Sequence, residues 1–198
     1  MPPERSKDTR QASRCIGIDD GPFPLRIDDT PRYAPLIAVL LKGSHLQRLK
    51  SAWITVDRLD GTNIAQRLLR GLEKIPVLLS GATFGGFNLI DPWKIHRATK
   101  APTVVVIGSR PNNRAVKQAL SNHFPDWKQR WELIRSLGPL HKIRTQRGDS
   151  PIFFECFGCS TRESEMILKS WAFVSRIPEP LRVAGIVARG LFPPEPIV

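Results

Sequence analysis

Apolar positions form short unbroken runs at the front of the chain and recur at helical spacing behind it. Cys15–Asp19 is a first short run, expected as a strand. Leu36 to Leu41 is continuously apolar and is closed by Lys42-Gly43, which predicts a buried strand. Residues 46–57 alternate loosely, with Leu46, Leu49, Trp53 and Thr55 set against Gln47, Arg48 and Lys50, and predict a third. No helical run separates these three, so they are expected as an antiparallel meander. The period then changes. Ile64, Leu68, Leu69 and Leu72 share one face of a helix over 62–74, with Arg67, Arg70 and Lys74 outside. Ile75–Leu79 reads as a strand ended by Ser80-Gly81. A glycine loop follows, and Asp91-Pro92 opens a helix with an acidic cap and a proline in its first turn. Thr103–Ile107 is another strand, 111–122 and 125–137 are helices, and 140–145 and 152–157 are short strands. Ser160 with Glu163 makes a capping box for the next helix. Pro178 opens the last, which runs to about residue 190.

Strands in a row, then helices and strands in alternation, describe an α/β chain. It is a mixed sheet, antiparallel meander plus parallel strands, flanked by helices, in the layout of the ribonuclease H-like fold. That layout sets carboxylates at the ends of its first and fourth strands and at the start of its first helix. Those places are Asp19, the acids from Asp57 to Asp60, and position 80. Asp19 and Asp20 end an apolar run at Gly21-Pro22, at the carboxyl edge where open sheets collect ligands. Such a pair is a turn device or a site for a hard cation. Asp60-Gly61-Thr62 is equally a good helix start, and Asp57 competes with Asp60 locally.

The chain has 198 residues, enough for one domain, 15–191, between a basic arm at 1–14, expected to be disordered, and a loose proline-rich tail at 192–198. Residues 20–35 carry four prolines and read as a loop. Thirty Lys and Arg against 18 Asp and Glu give a net charge of +12, which suits a phosphate-rich partner, DNA or RNA; solubility or an anionic lipid surface would also account for it. Lys94, Arg97 and Lys100 on one helix and Arg110, Arg114 and Lys117 on the next could track phosphates or form solvated faces. Gly85-Gly86 could let a nucleic-acid backbone approach, or serve a tight turn. Trp127 and Trp131 suit the core better than a stacking platform. Three cysteines make no disulfide framework, and the lone Cys156-x-x-Cys159 lacks the second ligand pair that zinc usually needs. No apolar stretch is long enough to span a membrane, and no secretory core follows Met1, so a cytoplasmic protein is expected.

Four blocks occur in order: Gly17-Ile18-Asp19-Asp20-Gly21-Pro22-Phe23, Val56-Asp57-Arg58-Leu59-Asp60-Gly61-Thr62, Gly85-Gly86-Phe87-Asn88-Leu89-Ile90-Asp91, and Arg176-Ile177-Pro178-Glu179-Pro180-Leu181-Arg182-Val183-Ala184. From Cys15 to Gly190 the chain closely resembles the mostly archaeal family called domain of unknown function 99, which looks related to endonuclease V. The resemblance implies a metal-dependent endonuclease of the inosine-cleaving kind, with Mg²⁺ or Mn²⁺ as its cofactor and no small-molecule cofactor. It matches Asp19 to the first catalytic and metal-binding carboxylate and Asp60 to the second. It also exposes departures. The third carboxylate falls on Ser80, where the family reads Leu-Asp-Gly. The acid or histidine after the Pro-Glu-Pro-x-Arg-x-Ala block falls on Gly185. Gly108, Ser109 and Arg110 stand where the family carries basic residues. A hydroxyl brings no charge to a metal, and two-metal cleavage depends on clamping carboxylates. The expectation is therefore a nucleic-acid-binding protein with reduced or lost Mg²⁺-dependent cleavage of inosine-type or structured DNA or RNA. An active endonuclease using Asp19 and Asp60, and a non-catalytic protein scaffold, are the alternatives. The oligomeric state is not legible.

Overall fold

The computed structural model describes residues 14–24 and 30–191. The strands are β1 (Arg14–Asp20), β2 (Tyr33–Lys42), β3 (His45–Thr55), β4 (Val77–Leu79), β5 (Thr83–Phe84), β6 (Asn88–Leu89), β7 (Thr103–Ile107), β8 (His141–Ile143) and β9 (Ile152–Phe157). The helices are α1 (Gly61–Leu69), α2 (Pro92–Thr99), α3 (Asn113–His123), α4 (Trp127–Arg135), α5 (Thr161–Trp171) and α6 (Glu179–Gly190). The seven-stranded sheet runs in the order β3-β2-β1-β4-β7-β9-β8. The meander is present, with β1 antiparallel to β2 and β2 to β3. β1, β4 and β7 are parallel, and β9 returns antiparallel to β7. This is the mixed α/β architecture expected. Arg14, assigned to the arm on composition, is instead the first residue of β1, opposite Lys42. The rest of the arm, 1–13, and the tail, 192–198, lie outside the described residues.

Pleating sends alternate residues of the central strands to opposite layers. Ile16, Ile18, Val77, Leu79 and Val105 pack on one face with Ala65 and Leu68 of α1 and Ile95 of α2. Leu78, Val104 and Val106 pack on the other with Leu168 and Trp171 of α5 and Leu181 of α6. α1 ends at Leu69 rather than at Lys74, because Gly71 and Lys74 take positive φ angles of 78° and 61° that no α-helix continues. Leu72 is still buried, which carries the apolar period past the end of the helix. Asp91 caps α2 by accepting from the amides of Trp93 and Lys94, and Ser160 caps α5 by accepting from that of Glu163.

Two close approaches set the position of α6. A Cβ on Gly17 would fall 2.2 Å from the backbone C and O of Pro180, and one on Gly21 2.2 Å from the carbonyl oxygen of Ala188. The helix thus lies directly on β1, near enough to bring its side chains to the end of that strand.

Candidate functional site

Asp19 is the penultimate residue of β1, on the face covered by α6, and three elements converge on it. Ser80 follows β4 directly, and its amide donates to the Ile18 carbonyl at 3.0 Å, which extends the β1–β4 pairing by one residue. That register sets the Ser80 hydroxyl toward the Asp19 carboxylate, where it favours the charged form. The Asp20 amide donates to Asp19 Oδ1 at 3.0 Å. From α6, Gly185 supplies room. A Cβ there would meet Asp19 Oδ2 at 2.4 Å and Arg189 Nη1 at 3.2 Å. Gly185 and Arg189 are one helical turn apart, and a helical side chain leans toward the N-terminus, so the exposed Arg189 reaches back over the glycine.

Asp19, Ser80, Gly108, Ser175, Gly185 and Arg189 help to line a cavity of about 320 Å³. Arg182 also borders it, but its guanidinium forks onto Glu179 at 2.7 and 2.6 Å. Burial pushes the Asp19 carboxyl up to about 6, helped by repulsion from Asp20; the Asp20 amide, the Ser80 hydroxyl and the Arg189 charge oppose the rise.

The structure does not bring Asp60 to this cavity's lining. Asp60 turns inward, accepting from the Thr55 hydroxyl at 2.8 Å, the Thr55 amide at 3.2 Å and the Asn88 amide group. Its side chain makes no cap for α1. Asn88 instead accepts from the Gly61 amide at 2.9 Å and donates to the Thr55 carbonyl at 2.8 Å. Asp57, in a left-handed conformation with φ 62°, accepts from the Phe87 amide at 2.9 Å and pairs with Arg32 at 3.0 Å. Asp20 accepts from the Gly85 amide at 2.6 Å. Gly85 and Gly86 both have positive φ, and a Cβ on Gly86 would fall 2.2 Å from Asp57 Oδ1. The glycine loop is therefore a packed β5–β6 turn held by two acids.

Arg130, unremarked in the sequence, is only 5% exposed. It bonds Asp126 at 2.8 Å and the carbonyls of Phe87 and Asp57 at 2.7 and 2.9 Å, and its guanidinium lies 4.4 Å from the Phe124 ring centre. Trp127 and Trp131 of the same helix are half-buried. An arginine in a helix of mostly polar residues gives no sign of such a role; only the packing of α4 on the loop makes it visible. Glu155 is a second surprise, with Oε2 buried and unpartnered and its pKa pushed by burial up to about 7.

Lys94, Arg110, Arg114 and Lys117 are exposed on α2, on α3 and in the loop before α3, and Lys117 lies 5.9 Å from the Trp131 ring centre. A second cavity, of about 520 Å³, opens beside β3 and α1, with Lys50, Arg67, Arg70 and Trp53 on its walls. Cys156 and Cys159 are free thiols, and the Cys159 thiol pairs with the Ser164 hydroxyl at 3.2 Å. No helix among the described residues is long and apolar enough to cross a membrane.

The residues at Asp19 do not fit a Mg²⁺ or Mn²⁺ ion. Such ions favour several anionic or carbonyl oxygens, and the groups around Asp19 are a backbone amide, the Ser80 hydroxyl and the positive charge of Arg189. Among the described residues no three His, Cys, Asp or Glu side chains gather where a metal could be held.

Comparison with known proteins places this geometry. The model of a family described as endonuclease dU matches residues 11–192. A UPF0215 protein of Methanopyrus kandleri is 32% identical over 190 residues, covering 93% of this chain and 94% of its own. A UPF0215 protein of Pyrococcus furiosus is 34% identical over 181 residues, covering 88% and 90%. Among solved structures, an Archaeoglobus fulgidus protein of unknown function superposes with a TM-score of 0.74 at 29% identity, covering 89% of this chain and 96% of that one. Endonuclease V of Bacillus subtilis superposes at 0.60 with 13% identity, over 89% and 79%. Ciona intestinalis endonuclease V, in complex with inosine-containing DNA, superposes at 0.54 with 17% identity, over 89% and 84%. At those identities the endonucleases share the fold.

Proposed function

This chain belongs to the endonuclease dU family, and from that premise we propose that it binds nucleic acid while its metal-dependent phosphodiester cleavage is reduced or lost. Family and fold together make it a nuclease-like protein of nucleic-acid metabolism. The observation that carries the finer reading is the setting of Asp19: a carboxylate in the expected place, with Ser80 and Gly185 where further ligands would stand and the oxygens of Asp60 engaged by Thr55 and Asn88. The net charge of +12 and the exposed Lys94, Arg110, Arg114 and Lys117 support a DNA or RNA partner. The family description names deoxyuridine and the Ciona protein was bound to inosine, so both lesions are fit probes.

The test incubates purified protein with end-labelled DNA and RNA carrying one deoxyuridine or inosine, with Mg²⁺, Mn²⁺ or EDTA. Salt-sensitive binding without cleavage is expected. Metal-dependent nicking abolished by both Asp19→Ala and Asp60→Ala would instead establish an active endonuclease with that carboxylate pair. An absence of binding at every salt concentration would point to a protein scaffold.

A further inference from the structure

The disagreement between the Asp19 pocket and a metal ion has a definite shape, because the exposed Arg189 guanidinium and the Asp19 carboxylate share the space over Gly185. We propose that the Arg189 guanidinium supplies the counter-charge to Asp19 that a divalent ion would otherwise supply, so that the pocket meets a nucleic-acid phosphate through an arginine and without metal. The phosphate part rests on the nucleic-acid reading above; the exclusion of metal does not. Three residues act together. Gly185 leaves the space that Asp19 Oδ2 and Arg189 Nη1 approach from two sides, at 2.4 and 3.2 Å from where a Cβ would stand. Ser80 stands beside Asp19 in the lining with a neutral hydroxyl, so the pocket gains no second negative charge there to draw a cation in. Arg189 is exposed and has no capping duty that would hold it elsewhere. A guanidinium keeps its charge at all relevant pH and offers forked donors to phosphate oxygens. Arg182, spent on Glu179, and Arg176, bonded to the carbonyls of Gly108 and Pro151 at 2.8 and 3.2 Å, are tied down at the pocket's edge. Arg189 is thereby the cation at Asp19 left to engage a ligand.

The test uses the full chain. Mn²⁺ titrations followed by electron paramagnetic resonance, without nucleic acid, are expected to show no saturable site below the millimolar range. The doubly substituted Ser80→Asp/Arg189→Ala protein, its fold checked by circular dichroism, should bind Mn²⁺ at least about tenfold more tightly. Saturable micromolar Mn²⁺ binding by the parent chain, lost in Asp19→Asn, would overturn the proposal. So would a folded double variant that gains nothing. In EDTA, Arg189→Gln should weaken binding of uracil-containing single-stranded DNA and lower the salt slope by about one; an unchanged slope refutes the phosphate contact. If the parent binds no nucleic acid at all, the functional reading fails while the Mn²⁺ result still decides the metal question.

Discussion

Replacing Gly17 and Gly185 by alanine in turn separates what holds the pocket together from what fills it. At Gly17 the added carbon would lie 2.2 Å from the Pro180 carbonyl carbon and oxygen, against the roughly 3.5–4 Å at which non-bonded carbons rest. Neither partner can turn away, since both are backbone, so α6 must lift from β1 and part of the buried layer opens. Overpacking in a tight core costs about 1–3 kcal/mol, and a strand–helix contact with no side chain to adjust belongs at or above the upper end. A loss of about 3 kcal/mol or more is expected, a large share of the ~5–15 kcal/mol that holds a typical domain folded. At Gly185 the neighbours are the ends of two side chains. Arg189 can swing aside at little cost and Asp19 by giving up a hydrogen bond of about 1 kcal/mol, while alanine in a helix interior returns about 0.5–1 kcal/mol. Gly185→Ala should therefore stay within ~1 kcal/mol of the parent, with the pocket blocked. Urea unfolding followed by tryptophan fluorescence measures both variants, and DNA anisotropy reads the pocket. The reasoning is refuted if Gly17→Ala unfolds within ~0.5 kcal/mol of the parent, or if the two substitutions cost the same.

Glu155 sets a pH dependence. Its folded-state value of about 7 lies above the ordinary 4.5, so between those values the folded chain holds a proton that the unfolded chain has released, and stability falls as pH rises through that window and levels off above it. The shift corresponds to about 3 kcal/mol, and ~1–2 after screening by solvent; urea midpoints at pH 5 and 8 should differ by at least that, and Glu155→Met should remove this share while the raised Asp19 carboxyl keeps its own. Asn88→Ala leaves the Gly61 amide without its acceptor and takes one donor from Asp60, which keeps Thr55, and should cost about 1–3 kcal/mol; a thermal melt unchanged from the parent would refute this. Arg130→Met leaves the carbonyls of Asp57 and Phe87 without a donor and should lower stability by about 2–4 kcal/mol in chemical denaturation.

The strands and helices were largely legible because runs such as Leu36–Leu41 and Thr103–Ile107 are buried on both faces, and because Asp91-Pro92 and Ser160 mark their helices chemically. The β5–β6 hairpin was not, since strands of two residues carry no period. At the site, Asp19 could be placed by its position after an apolar run. What the other acids do could not. Asp57 and Asp60 sit three residues apart in one turn, and only the fold reveals that each is turned toward a different partner, Arg32 and Phe87 for one, Thr55 and Asn88 for the other. Arg189 was not legible because its meaning depends on Gly185 one turn earlier and on Asp19, 170 residues upstream.

That separation bears on how the protein comes into being. β1 comes before and α6 after every other described element, so the pocket joins the earliest and the latest of them to leave the ribosome. A nascent chain can pair β1 with β2 and β3 early, but Asp19 then stands open to water until Glu179–Gly190 has emerged and docked. A chain halted or cut before α6 would keep most of its sheet and have no pocket, its first-strand carboxylate left uncovered.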